Sequence, residues 1–355
     1  MNYNINKNEP VMVTGSTGYV AGEIIKKLLE NGITVHAAVR DPDNESKVSH
    51  LKNLEQKTSG KIILFKANLL KEESYLKAMD GCSIVFHTAS PFNFNIKDNK
   101  KGFIDPALIG TQNVLNSVNK TESVKRVVLT SSCAAIYGDT ADISNYPNQI
   151  MTEEMWNISS TATHNAYSYS KTIAEKEAWE MSKKQNKWKL VVINPCMVLG
   201  PSLSKNPTSG SFDLFKQLAD GSMKSGAAPF EIGAVDVGDI AEAHLKAAYL
   251  ENAEGRHILY NRSVSFLEIA NIIRDKFGDK WALPKREVPK WLIWLIGPFI
   301  DKNLTRKMIK NNFGHPWRAD SSKSKKYLSI DYTPIEKSIE EMFQQMIDNG
   351  IAKKK

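Results

Sequence analysis

In the run Tyr167-Ser168-Tyr169-Ser170-Lys171, the first and last residues have the types and spacing needed to move a proton. Four residues apart on a helix, Tyr167 and Lys171 present their polar ends to one place. A free phenol, with a pKa of about 10, is a poor acid–base group at neutral pH. A nearby ammonium favours the phenolate and brings that pKa towards the working range. Tyr167 can then protonate a carbonyl oxygen while hydride reaches the carbon, and Lys171 can also bond a nicotinamide ribose. Tyr169 has Ile173 four residues on, so it cannot form the same pair. The spacing also occurs on ordinary amphipathic helices. Here it is joined by Thr130-Ser131-Ser132 at an expected strand end, where the Ser132 hydroxyl can hold a substrate oxygen as charge develops. Asn113 can serve a proton relay or simply cap and pack its helix, and His87 reads as a satisfied strand residue.

A hydride source is needed beside such a proton carrier, and the start of the chain offers a place for one. Val11-Met12-Val13 reads as a buried strand, Thr14-Gly15-Ser16-Thr17-Gly18 as a tight turn, and Glu23-Ile24-Ile25-Lys26-Lys27-Leu28-Leu29 as a helix. That succession sets backbone N–H groups where a pyrophosphate can sit. Gly15 permits the turn, Gly18 lets backbone approach phosphate, and Ala21 keeps the helix close to the sheet. Thr17, Tyr19 and Val20 complete the expected binding segment. The next strand, residues 33–39, ends in Arg40-Asp41-Pro42. An acid at that tip usually bonds a ribose 2′-hydroxyl, whereas a cation accommodates a 2′-phosphate. Arg40 holds the tip and Lys47 follows in a polar loop, so the expected cofactor is NADP(H). In the competing reading, Arg40 is a solvated strand end and Asp41 is the ribose ligand.

Strands are expected again at residues 61–67, 83–89, 126–130 and 189–194, with helices at 74–79, 110–118 and 167–183. This alternation implies an α/β fold, a doubly wound Rossmann sheet that is parallel and covered on both faces. Ligands of such sheets lie outside the carboxyl ends of the strands. Besides residues 15–19 and Arg40, those ends carry Asn68 and Leu69, then Thr88, Ala89 and Ser90, and finally Pro195 and Val198. Residues 1–199 are expected to form the NADP-binding domain, its sheet completed by segments within 232–262 such as 234–237 and 257–260. Residues 200–355 are then mainly a smaller substrate-binding domain.

A hydrophobic fraction of 41% and a charged fraction of 24% suit a soluble globular enzyme. The net charge of +8 is spread along the chain, and Lys353-Lys354-Lys355 reads as a solubilising tail. Basic blocks with interleaved aromatics are missing, so a nucleic-acid partner is not expected. Cys82, Cys133 and Cys196 are widely spaced and lack paired histidines. That argues against a disulfide framework or a metal site and for a reducing, cytoplasmic setting. Met1-Asn2-Tyr3-Asn4 is polar, with no signal h-region. Residues 291–300 are apolar but too short to cross a hydrocarbon core of about 30 Å, and Pro298 interrupts them. They are expected as a helix covering the second domain rather than an interfacial anchor, with no stable membrane insertion. Such a chain is compatible with a monomer or a homodimer.

Taken together, T-G-x-x-G at Thr14, Y-x-x-x-K at Tyr167 and the strand-five serine resemble the extended short-chain dehydrogenases/reductases. Val39-Arg40-Asp41-Pro42 with Lys47, Phe86-His87-Thr88-Ala89-Ser90-Pro91, Leu129-Thr130-Ser131-Ser132 and Asn194-Pro195 look like its dihydroflavonol reductase and aldehyde (methylglyoxal) reductase branch. The resemblance implies reduction of a small-molecule aldehyde or ketone with NADPH. By the family pattern Arg40 and Lys47 would hold the 2′-phosphate, and Ser132, Tyr167 and Lys171 would form the catalytic triad. Asn68 stands where the family usually has an Asp facing the adenine amino group. Asn165-Ala166-Tyr167-Ser168-Tyr169 departs from the N-W-Y-C-Y run of cinnamoyl-CoA reductases, and Tyr137 replaces the Asn that reads a flavonoid ring. A sugar-nucleotide epimerase or dehydratase of the same fold would show Asp-Glu where Cys133-Ala134 follow Ser132. A non-catalytic NADP-sensing protein would tolerate loss of Tyr167 or Lys171.

Overall fold

The computed structural model describes residues 8–90, 98–205, 207, 209–300 and 304–355. Pro91 and the N-terminal run 1–4 lie outside the described residues. The first half alternates as the periodicity predicts: β1 (Val11–Thr14), α1 (Tyr19–Glu30), β2 (Thr34–Val39), α2 (Glu45–Glu55), β3 (Lys61–Lys66), α3 (Leu76–Met79), β4 (Ile84–His87), α4 (Asp105–Lys120), β5 (Arg126–Thr130), α5 (Ala166–Lys183) and β6 (Lys189–Pro195). The second half carries β7 (Met197–Leu199), α6 (Gly210–Ala219), β8 (Glu231–Asp236), α7 (Val237–Tyr249), β9 (Gly255–Leu259), β10 (Arg262–Ser265), α8 (Phe266–Phe277), α9 (Lys290–Ile300), α10 (Arg306–Asn312), α11 (Ser322–Tyr327) and α12 (Ile335–Asp348). Within the first half, one element was not anticipated. Residues expected as a polar loop after β2 form α2, so Lys47 sits in a helical first turn. Its apolar signal is thin, since only Val48 and Leu51 of that helix are buried.

Seven strands make one parallel sheet in the order β3-β2-β1-β4-β5-β6-β9. Alternation along β1 explains the two layers of helices. Val11 and Val13 pack with Ile24 and Leu28 of α1, while Met12 faces the opposite layer with Val114, Val118 and Ala178 of α4 and α5. The strand order reverses between β1 and β4, which opens a crevice at their carboxyl ends. Of the two expected return segments, the later one joins this sheet as β9, against β6. The earlier one lies in β8, which pairs with β7 and β10 in a separate three-stranded sheet. A second core gathers there, with Phe212 and Phe215 of α6, Ile269 and Ile273 of α8, and Ile339, Met342 and Phe343 of α12.

Of two C-terminal expectations, one is corrected. Lys353–Lys355, expected as a solubilising tail, is exposed, and it is also held in place: Lys353 N–H donates to Ala219 O, Lys355 N–H to Lys280 O, and the Lys355 ammonium pairs with Asp279. Helix α9 does not cover the second domain with its apolar surface. Only Ile293 and Gly297 are buried, and Ile293 packs with Ile309 and Phe313 and against Phe230 at the edge of the second core, while the rest of the apolar face stays uncovered.

Candidate active site

The turn between β1 and α1 forms a cradle for an anion. Gly15 has φ +63°, and a Cβ there would stand 2.9 Å from Ala89 Cα, so only glycine closes the turn against the end of β4. Gly18 N–H donates to Gly15 O at 2.8 Å. Helix α1 has no side-chain cap and no acid in its first turn, so its N–H groups and positive dipole end suit a phosphate. Thr17 and Val20 are half-buried at this rim. Tyr19 turns its side chain into the second core, where its hydroxyl donates to Gly200 O at 2.5 Å and its ring meets Phe212 edge-on. Its backbone N–H stays in the first turn of α1.

Thr14 fixes the other wall. Its Oγ1 accepts the N–H groups of Thr88 and Ala89 at 3.1 and 2.9 Å and lies 3.0 Å from His87 Nδ1. With its acceptor sites taken, the hydroxyl donates to Nδ1, which leaves a neutral His87 protonated on Nε2. Burial, aided by the Lys171 charge, pushes this imidazole down to about 3. His87 is a satisfied strand residue that shapes the crevice. Ser90 is half-buried just beyond it.

Further along the strand ends, Arg40 and Lys47 are exposed, after β2 and in α2. Asn68 is exposed, and its Oδ1 already accepts Leu70 N–H at 3.0 Å. Leu69 is held by Asn113, whose Nδ2 donates to Leu69 O at 3.0 Å. Asn113 therefore secures this loop. Pro195 ends β6, and Val198 N–H donates to Ser211 Oγ at 3.1 Å.

The proton-carrying side is built on α5. Asn165, in a left-handed conformation, starts the helix and donates to Gly138 O and Asp139 Oδ1 at 2.9 and 2.8 Å. Asp139 also accepts from His164 Nε2 (2.8 Å), Asn311 (2.9 Å) and Asn312 (2.7 Å), which ties the active-site loop to α10. Burial pushes the Asp139 carboxyl up, but the bonds from Asn311, His164 and Asn312 leave it below its ordinary value. Two residues after Asn165, the Tyr167 hydroxyl pairs with the Ser132 side chain, whose Oγ also accepts Ala134 N–H at 3.1 Å. The structure thus brings Ser132, Tyr167 and Lys171 together at the end of β5. Tyr169 lies on another part of the helix, half-buried.

The charge relation inside this trio differs from the expected one. Burial pushes the Tyr167 phenol up to about 12, with the Ser132 bond pulling the other way. Burial also pulls Lys171 down to about 8, with the Glu175 charge opposing. The Lys171 Nζ stands 5.9 Å from the Tyr167 ring centroid. An amine buried in the same crevice is itself harder to charge, so in the protein alone desolvation outweighs its effect on the phenol.

Glu175 was missed, although it continues the Tyr167, Lys171 spacing by one more turn. Almost fully buried, it accepts from Ser131 Oγ at 2.5 Å, Asn194 Nδ2 at 2.8 Å and Arg256 Nε at 2.6 Å. Arg256 donates in addition to Glu153 O and Met155 O at 2.8 and 2.6 Å, and stacks on Trp156 at 4.0 Å. One carboxylate thereby joins α5 to β5, β6 and β9. Spacing alone would have flagged Glu175, but its partner Arg256 is 81 residues away in sequence.

Aromatic rings stand close to the trio. Phe103 meets the Tyr167 ring at 6.3 Å, and Tyr137 meets Trp317 edge-on at 5.6 Å, with Tyr260 5.4 Å from the same indole. Cys133 and Cys196, far apart in sequence, lie with their sulfurs 3.0 Å apart as buried thiols. Among the described residues no cluster of side chains suits a metal ion.

A parallel sheet with a glycine cradle at its switch point and a tyrosine–serine–lysine trio two strands away defines a dinucleotide-dependent enzyme of the Rossmann class. The model of the NAD dependent epimerase/dehydratase family matches residues 11–261, and the chain belongs to that family, the extended short-chain dehydrogenases/reductases. It is 36% identical over 351 residues to the cinnamoyl-CoA reductase CAD2 of Medicago truncatula, covering 98% of each chain. It is 38% identical over 282 residues to anthocyanidin reductase of Arabidopsis thaliana, covering 75% of this chain and 79% of that one. The yeast methylglyoxal/isovaleraldehyde reductase Gre2, solved with NADPH, superposes with a TM-score of 0.76 at 26% identity, covering 96% of this chain and 99% of that one.

Proposed function

We propose that the chain is an NADPH-dependent carbonyl reductase that turns an aldehyde or ketone into an alcohol. The observation that carries this reading is the pairing of the half-buried Tyr167 and Ser132 hydroxyls, one helical turn from the buried Lys171. The relatives reported above are named as reductases, which supports the same class. The nicotinamide cofactor supplies hydride when bound. The α1 cradle, with Gly15, Thr17, Gly18 and the backbone of Tyr19 and Val20, would hold its pyrophosphate. Arg40 and Lys47 would hold a 2′-phosphate, while Asn68 and Leu69 would flank the adenine. Thr88, Ala89, Ser90, Pro195 and Val198 would line the path to the reacting ring.

In this mechanism Ser132 and Tyr167 bond the carbonyl oxygen together, and Tyr167 gives its proton to the developing alkoxide. Lys171 bonds the ribose and, once charged, draws the phenol down from its desolvated value. Small or medium aldehydes and ketones, including α-oxoaldehydes, are the proposed substrates. Ala166 and Tyr137 stand against a cinnamoyl-CoA or flavonoid substrate. The three buried thiols suit a reducing, cytoplasmic setting. A panel of carbonyl compounds followed by NADPH absorbance tests the reading. Stoichiometric NADPH loss with alcohol formation is expected. Turnover of a sugar nucleotide with no net cofactor loss would overturn it.

A further inference from the structure

Helix α9 carries an exposed apolar surface that the reductase reading leaves without a role. Trp291, Trp294, Leu295, Ile296, Phe299 and Ile300 are 40–85% exposed. They are six of the eleven large apolar side chains exposed among the described residues, so the patch is a concentration rather than scatter. Ile293 and Gly297, four residues apart, form the buried stripe, and Ile293 packs with Ile309 and Phe313. An eleven-residue helix is about 16 Å long, half of a hydrocarbon core, so it can lie on a bilayer but not cross it.

The surroundings of this helix are basic. Arg286 precedes it, and Arg306, Lys307 and Lys310 follow on α10, all exposed and without an ion pair among the described residues. Lys285 is exposed as well but shares Asp279, and Lys290 is engaged by the carbonyls of Lys310 and Phe313. The Arg306 guanidinium stacks over Trp294 at 4.7 Å, which sets cation and indole side by side. Between residues 285 and 312 the sequence has only two acids, Glu287 and Asp301. Exposed tryptophan and phenylalanine inside a basic rim match the boundary of a bilayer with anionic headgroups. A second copy of the chain fits less well, because a two-fold contact through this patch would bring the basic rim against itself.

We propose that α9 is an interfacial helix that docks the protein reversibly on an anionic phospholipid bilayer. The inference is independent of the proposed reaction. The test is co-sedimentation of the full chain with vesicles of equal parts phosphatidylglycerol and phosphatidylcholine, against vesicles of phosphatidylcholine alone. Binding to the anionic vesicles is expected, with a blue shift of tryptophan emission and loss at high salt. Replacing Trp291, Phe299 and Ile300 together by serine should lower partitioning by about tenfold or more. Arg306→Glu with Lys307→Glu should do the same while an unchanged thermal melt shows that the fold persists. Failure to bind either vesicle would overturn the proposal. So would binding that the serine variant retains, or a wild-type dimer that the serine variant converts to a monomer.

Discussion

At the scale of single residues, the chemistry rests on one hydroxyl. Tyr167→Phe keeps the ring against Phe103 and removes only the proton donor. General acid catalysis contributes about 10²–10⁴ in rate, so turnover should fall by that order while NADPH binding survives. Tyr169→Phe, on another part of α5, should be close to neutral in the same assay. The reverse pattern would reject the assignment. Arg40 makes a separate claim. A charge-assisted phosphate bond contributes roughly 1.5–3 kcal/mol, so Arg40→Ala should weaken NADPH about tenfold or more and leave NADH nearly unchanged. Fluorescence titration with both cofactors checks this, and equal wild-type affinity for the two would remove the basis for an NADP preference.

Elements explain why those residues meet at all. Helix α5 is locked to three strands through Glu175, and the same carboxylate raises the readiness of Lys171 to hold a proton against the pull of burial. With Lys171 at about 8, the proposed mechanism loses its ammonium as pH rises through that value, so kcat should decline on the alkaline side. Glu175→Gln removes the opposing charge and should move that decline to lower pH. An unmoved profile in a folded variant would show that Glu175 only packs the helix. The Tyr167–Lys171 pair was legible because both ends lie on one helical turn. Glu175 and its arginine were not, since β9 supplies Arg256 after a return crossing that local periodicity does not encode. The same holds for the assignment of β8 to a second sheet. A short buried strand such as Ala234-Val235-Asp236 reads alike whichever sheet receives it. Helix α2 was missed for the opposite reason, because two buried residues leave almost no apolar period to detect.

For the whole molecule, the seven-stranded sheet and the position of the crevice followed from strand–helix alternation, and burial then set properties that no motif records. His87, His244 and His257 are all enclosed within or against the sheet, and burial holds them near 3, 4 and 4. His244 shows why protonation is resisted: its two nitrogens already meet Ile240 O and Thr130 Oγ1, each at 2.7 Å, in a neutral pattern. The unfolded chain takes up protons at these groups near pH 6.5 while the native protein does not. Each depressed histidine therefore contributes stability that is present above about pH 6.5 and lost as pH falls towards its folded value, at up to about 1.4 kcal/mol per pH unit. Asp239 opposes them, since burial raises its carboxyl to about 6 and native protonation there becomes favourable as pH falls. Glu23 and Glu153, whose carboxyls burial also raises, act in the same direction as Asp239, while His50, lowered by burial, joins the three histidines. The unfolded imidazoles take up protons from about pH 6.5, above the range of the carboxyls, so the balance between pH 7 and pH 5 is a net loss on acidification. Denaturant unfolding should show lower stability at pH 5 than at pH 7. His244→Gln, which can keep both hydrogen bonds without titrating, should flatten that slope; a wild-type protein equally stable at both values would show that these imidazoles take up protons in the folded state.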